Sequence, residues 1–165
     1  MEKIIKFAYT GYLSWDNENL LDLIKVADYL GIDALKEKGI KCLQSSLNPL
    51  QAIHAYHLSC TWNNTSLKKK SKKIILQNFE ILSETNEFLN LNINLFKDIL
   101  SNDFQIHPTE KIFEGIVKWI LENIEERKLH LEDIFKLIHY GRADINMILR
   151  IIADKKLLTS SSQHK

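Results

Sequence analysis

Apolar residues recur every three or four positions along almost the whole chain, and the breaks between these windows carry helix-cap chemistry rather than hairpin turns. From Asn19 onward, Leu20, Leu21, Ile24, Ala27 and Leu30 form one stripe. Gly31 stops it, because glycine takes the left-handed conformation at a helix end without a steric cost. Residues 34–43 repeat the pattern with Leu35, Gly39, Cys42 and Leu43 on one face, so Cys42 reads as a small buried hydrophobe. Asn48-Pro49-Leu50-Gln51 predicts the firmest helix start. Asn48 caps, Pro49 suits the first helical position and Gln51 can reach back, giving a helix that runs to the neighbourhood of Ser59.

Leu67, Ser71, Ile74, Ile75, Asn78, Phe79 and Leu82 share the next stripe, which puts Lys68, Lys69, Lys70, Lys72 and Lys73 mostly around the solvated side. Asn92 or Asn94 opens a short helix bearing Leu95, Phe96, Ile99 and Leu100. Pro108-Thr109 opens a helix with a wide apolar stripe of Ile112, Phe113, Ile116, Trp119, Ile120 and Ile124. Residues 131–138 and 145–152 add two amphipathic segments, the second capped by Asp144, and the Ser-rich end from Thr159 reads as a frayed tail. The expected fold is therefore all-α, about eight or nine short helices joined by short connections, with neighbours antiparallel in a stacked, solenoid-like or bundle arrangement.

Composition narrows the function more than the fold. In 165 residues there are 5 Gly and 2 Pro, too few for an all-β architecture that needs a tight turn every ~8 to 12 residues. With 22 basic against 21 acidic residues the net charge is +1, which gives no long-range field to gather nucleic acid or an anionic membrane. The apolar runs fall far short of the ~20 residues that span a bilayer, and Met1-Glu2-Lys3 opens no signal-peptide pattern. The expectation is a soluble protein of the cytoplasm or nucleus, with Cys42 and Cys60 reduced and the adjoining sequons at Asn63 and Asn64 fortuitous.

Two clusters invite a chemical reading. His54, His57 and Cys60 form an H-x-x-H-x-x-C run. On a helix, however, a residue six positions on has rotated about 240° from the first, so all three face one ion only if the helix ends between them, and the competing reading is a histidine rim. No nucleophile elbow, Gly-rich phosphate loop or zinc-protease helix is present, and the carboxylates are scattered, so neither a catalytic site nor a cofactor is expected. The lysine run from Lys68 to Lys73 suggests a localisation signal or nucleic-acid patch on one reading. It lacks Arg for bidentate recognition and interleaved aromatics for stacking, which favours a solvated helix face.

Specific strings then carry more than periodicity. Phe7-Ala8-Tyr9-Thr10-Gly11, followed by Leu20-Leu21, Ala27, Leu30, Ile32, Leu35, Cys42, Leu43 and Leu47, resembles the C-terminal part of a BTB/POZ domain, with its F-x-Y-T-G turn and last two helices. The remainder resembles the BACK domain that follows BTB in kelch-like proteins. The matching residues are Asn78-Phe79, Glu87-Phe88-Leu89, Ser101 and Asp103, Glu110 with Phe113-Glu114, Trp119-Ile120, Arg127 and Leu131. The resemblance implies a BTB remnant over residues 1–47, a BACK domain with its leading helix pair over 48–152, and a flexible tail over 153–165.

The resemblance also implies a function: a non-enzymatic substrate adaptor of a cullin-RING ubiquitin ligase, with the cullin scaffold as partner. By position, the helix pair that would complete the cullin groove spans residues 50–59 and 67–79, with Leu50, Ile53, His54, His57 and Leu58 as candidates for its wall. For Ile53 and Leu58 the competing role is to pack BACK onto BTB. The alternative at the level of function is a BACK-type interaction module that has lost cullin binding. The family's dimerising helix, central sheet and hydrophobic-x-Glu cullin contact would precede Met1, and no kelch repeats follow Ile152, so a truncated adaptor is expected. Self-association is expected too, through uncovered apolar residues of the BTB remnant such as Ile4, Ile5, Phe7 and Leu21.

Overall fold

Among the described residues, the side chains of Asn48, Asn64, Thr85 and Asn92 cap the starts of four helices, and left-handed residues at Gly31 and Asn63 stop two. The computed structural model describes Thr10, residues 19–101 and residues 110–137, and among these the regular elements are helices, with no strand. The all-α expectation holds for them. The chain divides into two units, Met1–Ser71 and Lys72–Lys165.

In the first unit, helix α1 (Leu20–Tyr29) buries Leu20, Ile24 and Ala27. Its end is a full Schellman motif: Gly31 sits at φ 68°, its N–H bonds the Asp28 carbonyl at 3.1 Å, and the Ile32 N–H reaches back to Ala27 O at 2.9 Å. Ile32 then packs on Ala27 and Leu35, the apolar contact that usually accompanies this stop. Helix α2 (Asp33–Ser46) packs on α1 and buries Leu35, Gly39, Ile40 and Leu43. Leu20, Ile24, Ile40, Leu43, Ala55 and Leu67 form the core cluster, with Leu21, Cys42, Leu47 and Trp62 half-buried against it. Cys42 thus lies at the rim rather than at the centre. Leu21, expected to lack cover, has some, while Ile4, Ile5 and Phe7 lie outside the described residues.

Helix α3 (Pro49–Thr61) starts as its sequence predicts: Asn48 Oδ1 accepts from the Gln51 N–H at 2.9 Å and Pro49 occupies the first helical position. It runs two residues beyond Ser59 and stops on Asn63, a non-glycine residue with positive φ, at 51°. The Asn64 N–H closes this second Schellman motif on Ser59 O at 2.9 Å. The Asn64 side chain then accepts from the Leu67 N–H at 2.8 Å and starts helix α4 (Thr65–Gln77). The Asn-Asn pair is thus a helix stop joined to a helix start.

The long stripe read through Leu82 is in fact broken. Asn78 shares its N–H between the carbonyls of Ile74 (3.1 Å) and Ile75 (3.2 Å), and its Nδ2 donates to Ile74 O at 2.8 Å, so the ladder ends there and α5 (Phe79–Leu82) follows. Lys72 departs from the expected solvated side as well. It is 2% exposed, its stem covered and its amine donating to Ser101 Oγ at 2.8 Å.

The second unit adds α6 (Asn86–Leu89), α7 (Ile93–Leu100), α8 (Glu110–Glu122), α9 (Ile124–Arg127), a 3-10 turn (Lys128–His130) and α10 (Leu131–Leu137). Thr85 caps α6 and Asn92 caps α7 through the Leu95 N–H at 3.0 Å. Rings from four of these elements join in series. Phe79 meets Phe88 edge-on at 5.0 Å, Phe88 meets Phe96 edge-on at 5.7 Å, and Phe96 stacks on Trp119 at 4.1 Å and 7°. Trp119, fully buried, donates Nε1–H to Leu91 O at 2.9 Å, and the Arg127 guanidinium lies 4.1 Å from its ring while bonding its carbonyl. Gly115 allows α5 to reach α8: a Cβ there would stand 2.5 Å from Phe79 Cε1. The segments read at Pro108-Thr109, over 145–152 and in the tail lie outside the described residues.

Candidate functional site

Helix α3 carries all five residues singled out for partner binding, and its geometry sorts them. At 100° per residue, Leu50, His54, His57 and Thr61 fall on one stripe, and all four are exposed. Leu50 is 70% exposed, a large apolar side chain in water at the start of the stripe. Leu58 is half-buried on one flank. Ile53 is 5% exposed on the other, so it gives a partner little surface and packs inward with Ala52, Ala55, Tyr56 and Ser59. Thr61 was not singled out. Its signal is the spacing of four from His57, whose carbonyl accepts from the Thr61 hydroxyl at 3.3 Å.

The stripe is held at both ends. Asn48 and Pro49 fix its start. At its end Trp62 donates Nε1–H to Asp28 Oδ2 at 2.8 Å, while Lys36 donates to Asp28 Oδ1 at 2.6 Å and lies 5.4 Å from the indole ring. The bonds from Lys36 and then Trp62 hold the Asp28 carboxyl below the usual carboxylate range. Ends of α1, α2 and α3 therefore meet at one solvent-exposed node. Leu50, His54 and His57 thus share one exposed face whose two ends are fixed by local hydrogen bonds.

Cys60 is half-buried and lies away from the line of His54 and His57. Among the described residues no group of three His, Cys, Asp or Glu side chains is placed to hold a metal ion. Among them also no helix is long and apolar enough to cross a membrane.

A family model described as BTB And C-terminal Kelch, BACK, matches residues 52–153, and a BTB/POZ domain model matches residues 1–47. The chain belongs to the kelch-like BTB–BACK family. Kelch-like protein 11 of Homo sapiens is 25% identical to this BTB–BACK chain over 162 residues, 98% of the chain and 23% of the relative. Kelch-like protein 38 of Homo sapiens is 27% identical over 161 residues, again 98% of the chain and 28% of the relative. Kelch-like protein 25 of Homo sapiens is 22% identical over 166 residues, 100% of the chain and 28% of the relative. The BTB–BACK chain thus spans about a quarter of the length of these curated relatives.

Proposed function

We propose that this chain serves as part of a substrate adaptor of a cullin-RING ubiquitin ligase, a non-catalytic protein that docks on the cullin scaffold through α3. In this reading residues 1–47 belong to the BTB/POZ part and residues 48–152 to BACK with its leading helix pair, α3 and α4. The observation that carries the proposal is the exposed stripe of α3: an apolar anchor at Leu50 followed by His54 and His57 on the same face. Membership of the kelch-like BTB–BACK family supports it. Leu50 beside His54 and His57 offers a partner an apolar contact with a polar surround, the core-and-rim arrangement of protein interfaces. Work of this kind needs no acid-base pair or bound cofactor, only a rigid surface.

Burial of Ile53 favours a second reading, a BACK-type helical module without cullin binding, because it removes one of the apolar candidates from the docking face. Calorimetric titration with the N-terminal domain of the cullin separates the two. The adaptor reading expects saturation at micromolar affinity or tighter, about −8 kcal/mol, and a loss of about tenfold or more in Leu50→Asp with an unchanged melting temperature. A flat isotherm from a folded helical sample establishes the second reading instead.

A further inference from the structure

Helix α4 carries a cationic face that works against its own helix. Lys69, Lys70 and Lys73 are exposed, and at 100° per residue they lie within one side together with Ser66 and Gln77. Many of the other described lysines are matched to acid: Lys25 with Asp22, Lys36 with Asp28, Lys97 with Asp133, Lys111 with Glu80, Lys118 with Glu84, Lys128 with Glu125 and Lys136 with Glu132. Lys69, Lys70 and Lys73 meet no acidic partner among the described residues, a property shared by the isolated Lys41 on α2. Like charges one turn apart on a helix repel. This repulsion costs helix stability, so local physics does not explain the cluster; departures of this sort mark functional surfaces.

We propose that the Lys69–Lys70–Lys73 face of α4 binds an acidic segment of another protein. Lys69 to Lys73 rises about 6 Å along the helix, close to the ~6.6 Å that separates same-side residues of an extended strand. An extended peptide with Asp or Glu at alternate positions therefore sets one carboxylate at each end of the patch, with Lys70 covering the flank. Lysine is a compact point charge that suits single carboxylates, and the face contains neither the guanidinium forks nor the aromatic platforms that bind nucleic acid well. This proposal does not depend on the ligase reading: its lysines lie on α4, the second helix of the leading pair, and its test needs no cullin.

The test uses the full chain and a short fluorescein-labelled peptide with Glu at alternate positions, titrated by anisotropy between about 50 and about 200 mM salt. The expected result is saturable binding that weakens as salt rises and falls about tenfold in the triple variant Lys69→Gln, Lys70→Gln, Lys73→Gln. Lys41→Gln, which also removes an unmatched charge, should leave binding unchanged. The triple variant should melt no lower than the parent chain, because the lysines oppose the helix. The proposal is overturned if the triple variant binds equally well, if Lys41→Gln weakens binding as much, or if the triple variant melts lower. Tighter binding to a single-stranded oligonucleotide or to phosphatidylserine vesicles than to the peptide overturns it as well.

Discussion

The unit up to Ser71 and the unit from Lys72 are stabilised in different ways. The first has an aliphatic core, Leu20, Ile24, Ile40, Leu43, Ala55 and Leu67, and much of its definition comes from where its helices stop and start. Two Schellman ends, two asparagine caps and the Asp28 node act on chain direction as much as on packing. The second unit is organised around the series Phe79, Phe88, Phe96 and Trp119, with Arg127 over the indole. Each aromatic pair adds about 0.5–1.5 kcal/mol beyond its buried area, and Trp119 takes part in a stack, a hydrogen bond and a cation–π contact together. Both units have two side-chain caps, Asn48 and Asn64 in the first and Thr85 and Asn92 in the second, but among the described residues the left-handed stops lie in the first and the ring series in the second.

The largest effect should come from removing the Trp119 side chain. Trp119→Ala deletes the stack on Phe96, orphans the Leu91 carbonyl and uncovers Arg127, and the expected loss is about 3–5 kcal/mol in urea unfolding. Residues 72 onward should then lose amide protection before the first unit does. A loss below about 1 kcal/mol, a typical single-cap value, would mean that the ring series is not the organising feature and would erase the contrast.

In the first unit a single change should cost less. Gly31→Ala forces a Cβ onto a left-handed residue and should cost about 1–2 kcal/mol, although nothing lies within 4 Å of that Cβ. Asn63→Gly should move the other way by a few tenths of a kcal/mol, because Asn63 already carries part of the same strain at φ 51°. Melting curves of the two variants read the pair of signs. If both changes are neutral, chain reversal is set by core packing alone, and the caps only follow it.

The same contrast explains what was legible in the sequence. Helix identity followed from the stripes, and the ends at Gly31 and Asn48 followed from local chemistry, because both are decided within a few residues. Asn63-Asn64 stood out in the sequence only as two fortuitous sequons, since no local rule distinguishes a left-handed asparagine from an ordinary one. Asn78 looked like a stripe residue because the periodicity continues through it. Only its hydrogen bonds show that the helix does not. Lys72 was placed with its neighbours in water, yet its partner Ser101 is 29 positions away and invisible to any window. On α3, exposure separated Leu50, His54 and His57 from Ile53, which the resemblance alone could not do, and spacing could have added Thr61.

The smallest effect concerns the surface carboxylates and tests whether the units also differ in how they hold charge. Asp28 is kept below the usual carboxylate range by bonds from Lys36 and then Trp62, and Asp133 by its bond and attraction to Lys97. A folded-state pKa below the unfolded one means that the unfolded chain takes up the proton first. The stabilisation is therefore present above the ordinary carboxylate value of about 3.9 and is lost as pH falls through the lower, folded value. Asp28→Asn and Asp133→Asn should each melt below the parent chain near neutral pH and converge with it in acid. Salt should distinguish them. The Lys97–Asp133 pair is an exposed ion pair and should be largely screened at about 1 M salt, where the Debye length is about 3 Å. Asp28 also accepts from the neutral Trp62 indole, which salt does not screen, so its difference should persist. Equal loss of both differences in salt would show that the Trp62 bond adds nothing to the node and that the end of α3 is held by packing.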